Sequence, residues 1–314
     1  MQKFALFTGS CQSIPAIQYL LQAGKLACVV LIEAQPNPDL AQLQYWLQQN
    51  RIITLQYQKN NQSELIAQLD TLEVNHGLLY MFRHKITPSL IQYFAQKLVN
   101  IHPSPLPNYR GPWPLYWQLR NGEETTRLTL HQVNEQIDAG DVATGIGVDI
   151  AIHPFDTMSC LQQKVAQALP LLIDNYSQAI QQQSLRWLKQ EADCEKDAPL
   201  VNENQLIVDW HKQSAKQIAD MARAGNVDTS CAIFAVGPDK FQLLQVSTVE
   251  CDIKGIKPGT VVELDRLRGL IIKTTDGAVC LDVIGTQQGL FDGYRFAILF
   301  GLEAGMCLSA ERVS

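Results

Sequence analysis

Asn100, His102 and Asp138 are the residues whose types and spacing suit group-transfer chemistry. Side chains alternate along a strand, so Asn100 and His102, two apart in the apolar run 98–102, point to one side. That sets a neutral hydrogen-bond donor beside a titratable imidazole. Asp138, in Ile137-Asp138-Ala139-Gly140-Asp141, adds a carboxylate from a second loop. An amine attacking an activated carbonyl generates an oxyanion. A side-chain amide and an imidazolium are good donors to it, each worth on the order of 10²–10³ in rate. The attacking nitrogen must also shed a proton. A carboxylate taking it, directly or through water, contributes roughly 10²–10⁴. The same carboxylate favours the charged imidazole.

The hydrophobic pattern supplies the elements that must position these groups. Residues 3–8, 26–33, 52–56, 77–81 and 98–102 read as short apolar strands, and 13–22, 39–49, 63–72 and 88–97 as helices. This β-then-α alternation argues for a parallel sheet covered on both faces, with connections of helical length. Ligands of such sheets bind outside the carboxyl ends of the strands, where Asn100 and His102 stand. Residues 125–133 and 142–150 read as two strands flanking the Asp138 loop, and 157–183 as a long helix.

The stretch 187–206 is charged, low in periodicity and holds Pro199, so it reads as a linker between domains at 1–186 and 207–314. Beyond it, Asp209 is placed to cap a helix running through Trp210, Ala215, Ile218, Met221 and Ala222. Short strands follow, separated by Gly237-Pro238-Asp239, Lys257-Pro258-Gly259 and the hairpin signal Asp276-Gly277. The second half reads as a small β-barrel or sandwich behind one helix.

Composition narrows the function classes. With 46% hydrophobic and 18% charged residues over 314, the chain reads as globular and long enough for two cores. A net charge of −6 argues against a large nucleic-acid footprint. The eight cysteines form no CxxC pair, so a zinc site has no support; they read as reduced packing residues and no metal is expected. The run Met1–Phe7 reads as a first strand rather than a secretory segment, and no stretch approaches a membrane span of ~20 apolar residues. A cytoplasmic protein is the expectation. A dinucleotide site would need G-x-G-x-x-G after the first strand; Gly9-Ser10-Cys11-Gln12-Ser13 has one glycine, though the amides after it could hold a small anion.

Other residues read more plainly. His131, in an alternating strand, reads as structural, and Trp113, Tyr116 and Trp117 as core packing. His84 is open between an exposed loop residue and a pocket residue. Arg110 reads as holding its loop rather than binding a substrate anion. Asp141 competes with Asp138 by proximity.

Asn100-x-His102-Pro103-Ser104-x-Leu106-Pro107-x-Tyr109-Arg110-Gly111, together with Ile137-Asp138-Ala139-Gly140, resembles the formyltransferases that use 10-formyltetrahydrofolate. Val208-Asp209-Trp210, Arg223-Ala224 and Lys257-Pro258-Gly259-Thr260 are similar to the C-terminal domain of methionyl-tRNA formyltransferases and their relatives. The resemblance implies a Rossmann-like, mostly parallel α/β formyltransferase domain followed by a small OB-like β-rich domain. It implies that Asn100 and His102 handle the formyl carbonyl and that Asp138, the aspartate at the motif position, helps deprotonate the amine. It implies a folate pocket at 79–86 and 135–139, with Met81, Phe82, Arg83, Ile86, Gln136 and Ile137 as its residues. Ser104, Arg110 and Gly111 would form the substrate loop.

The acceptor amine is narrowed by charge. The tRNA enzymes carry a basic, glycine-containing insertion after the second strand; here the segment is Ala34-Gln35-Pro36-Asn37-Pro38-Asp39-Leu40. Residues 200–314 hold 11 Lys+Arg against 14 Asp+Glu, whereas a tRNA-facing surface needs positive charge because phosphate contacts dominate affinity. The loop Ser104–Gly111 also departs from the tRNA-enzyme form. The expectation is therefore a small, nucleotide-linked or carrier-linked amine such as an amino sugar. Methionyl-tRNA is the alternative, and a hydrolase releasing formate from 10-formyltetrahydrofolate a further one. The C-terminal domain would then select substrate or form a homodimer.

Overall fold

The computed structural model describes residues 1–32, 37–191, 196–227, 230–250 and 254–308. Ala34–Pro36 of the acceptor-loop argument, Cys194 and Cys251 lie outside the described residues. The chain divides into two compact units. The first comprises Met1–Pro114, Thr125–Ala151 and Leu161–Pro199; the second comprises Leu115–Glu124, Ile152–Cys160 and Leu200–Ser314.

The first unit is a mostly parallel sheet. Its strands are β1 (Phe4–Thr8), β2 (Leu26–Ile32), β3 (Thr54–Tyr57), β4 (His76–Leu79), β5 (Leu98–His102), β6 (Thr125–Gln132), β7 (Val142–Ala143), β8 (Val148–Ala151) and β9 (Trp187–Leu188). The order is β3-β2-β1-β4-β5-β6-β7-β9, with β8 also on β6. Pairing is parallel from β3 through β5 and antiparallel beyond. The connecting helices are α1 (Ile14–Gln22), α2 (Pro38–Gln49), α3 (Gln62–Thr71) and α4 (Pro88–Phe94). Every side chain of β1 is buried, as a strand covered on both faces requires. Ala5 and Phe7 pack with Leu65, Leu90 and Phe94 on one face, while Phe4 meets Tyr176 of the long helix Met158–Gln181. Strand order reverses between β1 and β4, the switch point where such sheets open a crevice.

Two expected elements differ. The helix over 88–97 stops at Phe94, where Ala95 takes φ 50, which a right-handed helix cannot continue; a 3₁₀ turn fills Ala95–Lys97. The single strand over 142–150 is two. Both parts pair with β6, but between His131↔Val142 and Leu128↔Val148 the partner strand carries three extra residues, and that bulge splits it.

The second unit is an antiparallel sheet of β10 (Ala232–Val236), β11 (Asp239–Val249), β12 (Val261–Asp265), β13 (Gly269–Lys273), β14 (Ala278–Thr286) and β15 (Gly289–Phe291). The segment Pro114–Arg120 is α5 and Met158–Gln181 is α6; the C-terminal helices are α7 (Ala215–Gly225) and α8 (Gly293–Phe300). Trp210, Ile218, Phe234, Leu281 and Phe296 form its core. Helix α7 begins later than expected. Ser214, not Asp209, caps it, because Ser214 and Gln217 satisfy each other's orphan amides in a capping box. Asp209 instead starts the preceding turn, accepting the His211 amide at 3.1 Å. Among the described residues no helix is long and apolar enough to cross a membrane.

Candidate active site

Asn100 and His102 stand at the carboxyl end of β5, their side chains on one side as the strand period requires. The loop between β6 and β7 brings Asp138 to both. Asn100 Nδ2 lies 3.4 Å from Asp138 Oδ1, and His102 Nδ1 lies 3.6 Å from Asp138 Oδ2. Asp138 takes φ 53, a left-handed conformation that Asp tolerates better than most residues, and its side chain is 11% exposed.

The proton positions are set by the acceptors nearby. The Tyr109 carbonyl, 2.8 Å from His102 Nε2, takes that proton. In the neutral ring Nδ1 is therefore the bare nitrogen, and 3.6 Å is the separation that two acceptors keep. Burial pushes His102 below the ordinary imidazole value, outweighing the upward pull of Asp138 and of the Tyr109 carbonyl. Burial on its own would raise Asp138. The His131 hydrogen bond, the charges of His102 and His131 and the Gly111 amide outweigh it and hold the carboxyl at about 2. Both imidazole contributions require a proton on the ring nitrogen that faces the carboxylate; the Gly111 amide, donating to Oδ2 at 3.1 Å, acts throughout.

His131 joins this cluster. It stands directly opposite Asn100 in the β5–β6 register, with its Nε2 3.0 Å from Asn100 Nδ2 and 3.4 Å from Asp138 Oδ1. Its Nδ1 proton goes to the Gln132 carbonyl at 2.9 Å, so the neutral ring accepts from Asn100 through Nε2. An alternating strand pattern alone makes His131 a packing residue. Its place here comes from strand register, and fixing the β5–β6 alignment is the signal that would have found it.

The segment after α6, linker-like in composition, contributes as well. Trp187 and Leu188 pair with β7, and Tyr109 and Ala198 exchange backbone hydrogen bonds with Lys196 and Arg110. Gln190 reaches the Asp138 loop and Arg110 at once. A lone glutamine in polar sequence carries no signal of this.

Of the remaining expected residues, Ser104 shapes the proline-broken loop: its Oγ donates to the Asn108 carbonyl at 2.7 Å and its own carbonyl accepts from Thr129. Gly111 takes φ 118, and a Cβ there would meet the Ala198 carbonyl oxygen at 2.7 Å. Met81 takes φ 53 and its carbonyl accepts the Gly9 amide. Phe82 meets Phe7 and Tyr57 edge-on, and Ile86 is buried in the same apolar cluster. Arg83, His84 and Gln136 are exposed, and Ile137, beside Asp138, is 71% exposed. The turn after β1 differs from the anion-holding expectation. The Cys11 amide already donates to Asp39 and the Gln12 amide to Ser10 Oγ, so these amides are taken by the chain's own oxygens.

A mostly parallel sheet with polar side chains gathered outside the carboxyl end of one strand has the arrangement in which open α/β sheets bind their ligands. The chain belongs to the formyl transferase family: the formyl transferase pattern matches residues 17–173 and that of the formyl transferase C-terminal domain matches 201–289. It is 30% identical over 180 residues to methionyl-tRNA formyltransferase of Thermotoga maritima, an alignment spanning 57% of this chain and 55% of that protein. Its fold is similar to that of a variant of HypX from Aquifex aeolicus (TM-score 0.62, 18% identity, 96% of this chain), of which it spans 48%. It is equally similar to WlaRD, a sugar 3N-formyltransferase crystallised with dTDP and 5-N-formyl-THF (0.62, 17%, 89% of this chain and 96% of that one). The N-formyltransferase from Helicobacter canadensis, in complex with folinic acid and dTDP-3-aminofucose, matches at 0.62 with 15% identity, covering 89% and 98%.

Proposed function

We propose that this protein is an N-formyltransferase that moves a formyl group from 10-formyltetrahydrofolate to a primary amine. The observation that carries this reading is the convergence of Asn100, His102 and Asp138 at the carboxyl end of β5. The folate carries the formyl group in activated form. Asn100 Nδ2 is the donor for the oxyanion that develops on the formyl oxygen. Ile137, exposed beside Asp138, and the backbone at 135–139 and 79–86 are the groups that would hold the folate ring. The donor set and the exposed apolar side chain fit such a ligand.

The two titratable partners divide the proton work. A carboxyl held at about 2 is ionised at neutral pH but is a weak proton acceptor. An imidazole is intrinsically more basic than a carboxylate. His102 Nδ1, bare in the neutral ring, is therefore the better acceptor of the amine proton, and Asp138 stabilises the imidazolium that results. Asn100 is released to the oxyanion as its link to Asp138, already long at 3.4 Å, gives way.

For the acceptor, the net acidic charge of residues 200–314 and the sugar N-formyltransferases among proteins of like fold support a nucleotide-linked amino sugar or a similar amine. The β-rich second unit, OB-like in this reading, would select the acceptor or form a dimer. The Thermotoga maritima relative supports methionyl-tRNA as the second reading. Release of tetrahydrofolate from 10-formyltetrahydrofolate, measured with nucleotide-linked amino sugars, small amines and methionyl-tRNA, tests all of these. Turnover with an amino sugar and none with methionyl-tRNA is expected. Turnover with methionyl-tRNA alone would select the second reading. Equal release of formate with and without amine would replace transfer by hydrolysis.

A further inference from the structure

Behind the Asp138 carboxylate the chain closes a ring of hydrogen bonds. Gln190 Nε2 donates to the Asp138 carbonyl at 2.8 Å and to the Gly140 carbonyl at 2.6 Å. Gln190 Oε1 accepts from Arg110 Nε at 3.0 Å and Nη2 at 2.8 Å. Arg110 also donates to the Glu191 carbonyl at 2.9 Å. The next residue, Gly111, donates its amide to Asp138 Oδ2 at 3.1 Å, and the preceding one, Tyr109, receives the His102 Nε2 proton. The ring therefore runs from the Asp138 carbonyl through Gln190, Arg110 and Gly111 to the Asp138 carboxylate.

The partners dictate the side chain. A guanidinium offers only donors and a carbonyl only acceptors, so the group between them must present an oxygen to one and an N–H to the other. Glutamine does so, and its amide orientation is fixed by the partners. Glutamate would satisfy Arg110 and repel the two carbonyls; lysine would do the reverse. The segment carrying Gln190 stays docked without that side chain. The Thr144 amide donates to the Arg186 carbonyl, Trp187–Leu188 pairs with β7, and Ala198 donates to the Arg110 carbonyl.

We propose that Gln190 is a positioning residue that holds the Asp138 loop, through this ring, at the separation from His102 and His131 at which Asp138 acts. The proposal rests on the role given to Asp138 in formyl transfer. The titratable groups facing the carboxylate are His102 on β5 and His131 on β6; Arg110 reaches it through Gln190 and Gly111. Displacement of a reacting group by about 1 Å costs on the order of 10²-fold in rate.

The test uses Gln190→Met, which removes both sets of hydrogen bonds, and Gln190→Glu, which keeps only the Arg110 side, each in the full chain. Two readouts are taken: tetrahydrofolate release, and NMR titration of the His102 ring. In both variants kcat is expected to fall about 10–100-fold, with the KM for 10-formyltetrahydrofolate changed less than about threefold. The His102 titration is expected to move from its wild-type midpoint, downward in Gln190→Met as the carboxylate withdraws. A Gln190→Glu variant with wild-type kcat and titration would overturn the proposal, since anchoring Arg110 would then suffice. A slowed variant with a wild-type titration would overturn it too, because the loop would not have moved. If the wild type releases no tetrahydrofolate with any amine, the transfer reading fails, while the titration still decides whether Gln190 positions Asp138.

Discussion

Asp138 faces groups that ask different things of it: a bare imidazole nitrogen at 3.6 Å, a second imidazole at 3.4 Å and a donating backbone amide at 3.1 Å. Replacing Asp138 by Asn keeps an oxygen for the Gly111 amide but removes the charge that stabilises protonated His102. Turnover is expected to drop roughly 10²–10⁴-fold with the circular dichroism spectrum unchanged; wild-type tetrahydrofolate release would remove Asp138 from the mechanism. In the proposed transfer His102 must be neutral to accept a proton, and burial sets its value below 6.5. NMR titration of the His102 ring is therefore expected to give a midpoint below 6.5, and a midpoint at or above that value would contradict the neutral-ring reading. Stability tracks the carboxylate separately. Its folded value of about 2 lies under the unfolded 3.8, so its contribution is complete above pH ~4 and is lost as pH falls towards 2. Urea midpoints measured across that window, in wild type and Asp138→Asn, are expected to converge at the acid end.

The elements that carry the site were legible to different depths. Strand β5 stands at 98–102 as expected, because an apolar run with period-2 alternation ending in a proline-rich loop has few other readings. That alone put Asn100 and His102 side by side. The Asp138 loop was legible as a loop between strands. His131 and Gln190 were not legible as members of the cluster, because their contacts come from register and from the course of a segment without periodicity. The start of α7 was missed by five residues, since Asp209 and Ser214 are both good caps and only Ser214 has its Gln three residues on. Ser214→Ala is expected to cost about 1 kcal/mol in urea unfolding. Gly140 is a sharper case. A Cβ there would lie 1.8 Å from the Gln132 carbonyl oxygen, so the Asp138 loop must leave β6 for any other residue to fit. Gly140→Ala is expected to lower stability by roughly 2–4 kcal/mol and to slow turnover as well. An alanine variant with wild-type unfolding and turnover would show that the loop yields freely.

Over the whole molecule, the second unit draws on three separate stretches of chain, and α7 is where they are fastened. Arg223 pairs with Asp220 at 2.7 Å and donates to the carbonyls of His153 at 3.2 Å and Leu119 at 3.4 Å. Asp220 is nearly buried, and its other partner, Lys216, lies on the exposed side of the helix. Arg223→Met would strand that carboxylate, and a loss of about 3–5 kcal/mol in urea unfolding is expected; a loss below ~1 kcal/mol would mean that water or Lys216 compensates. The threading has a consequence for exchange of parts between relatives. Residues 115–124 and 152–160 sit in the sequence among residues of the first unit, yet they fold with residues 200–314. A chimaera joined at residue 199 would inherit two patches from one parent and the body they fit from the other. The second folding unit in this family member is discontinuous along the sequence, and a swap that respects it must carry all three stretches together.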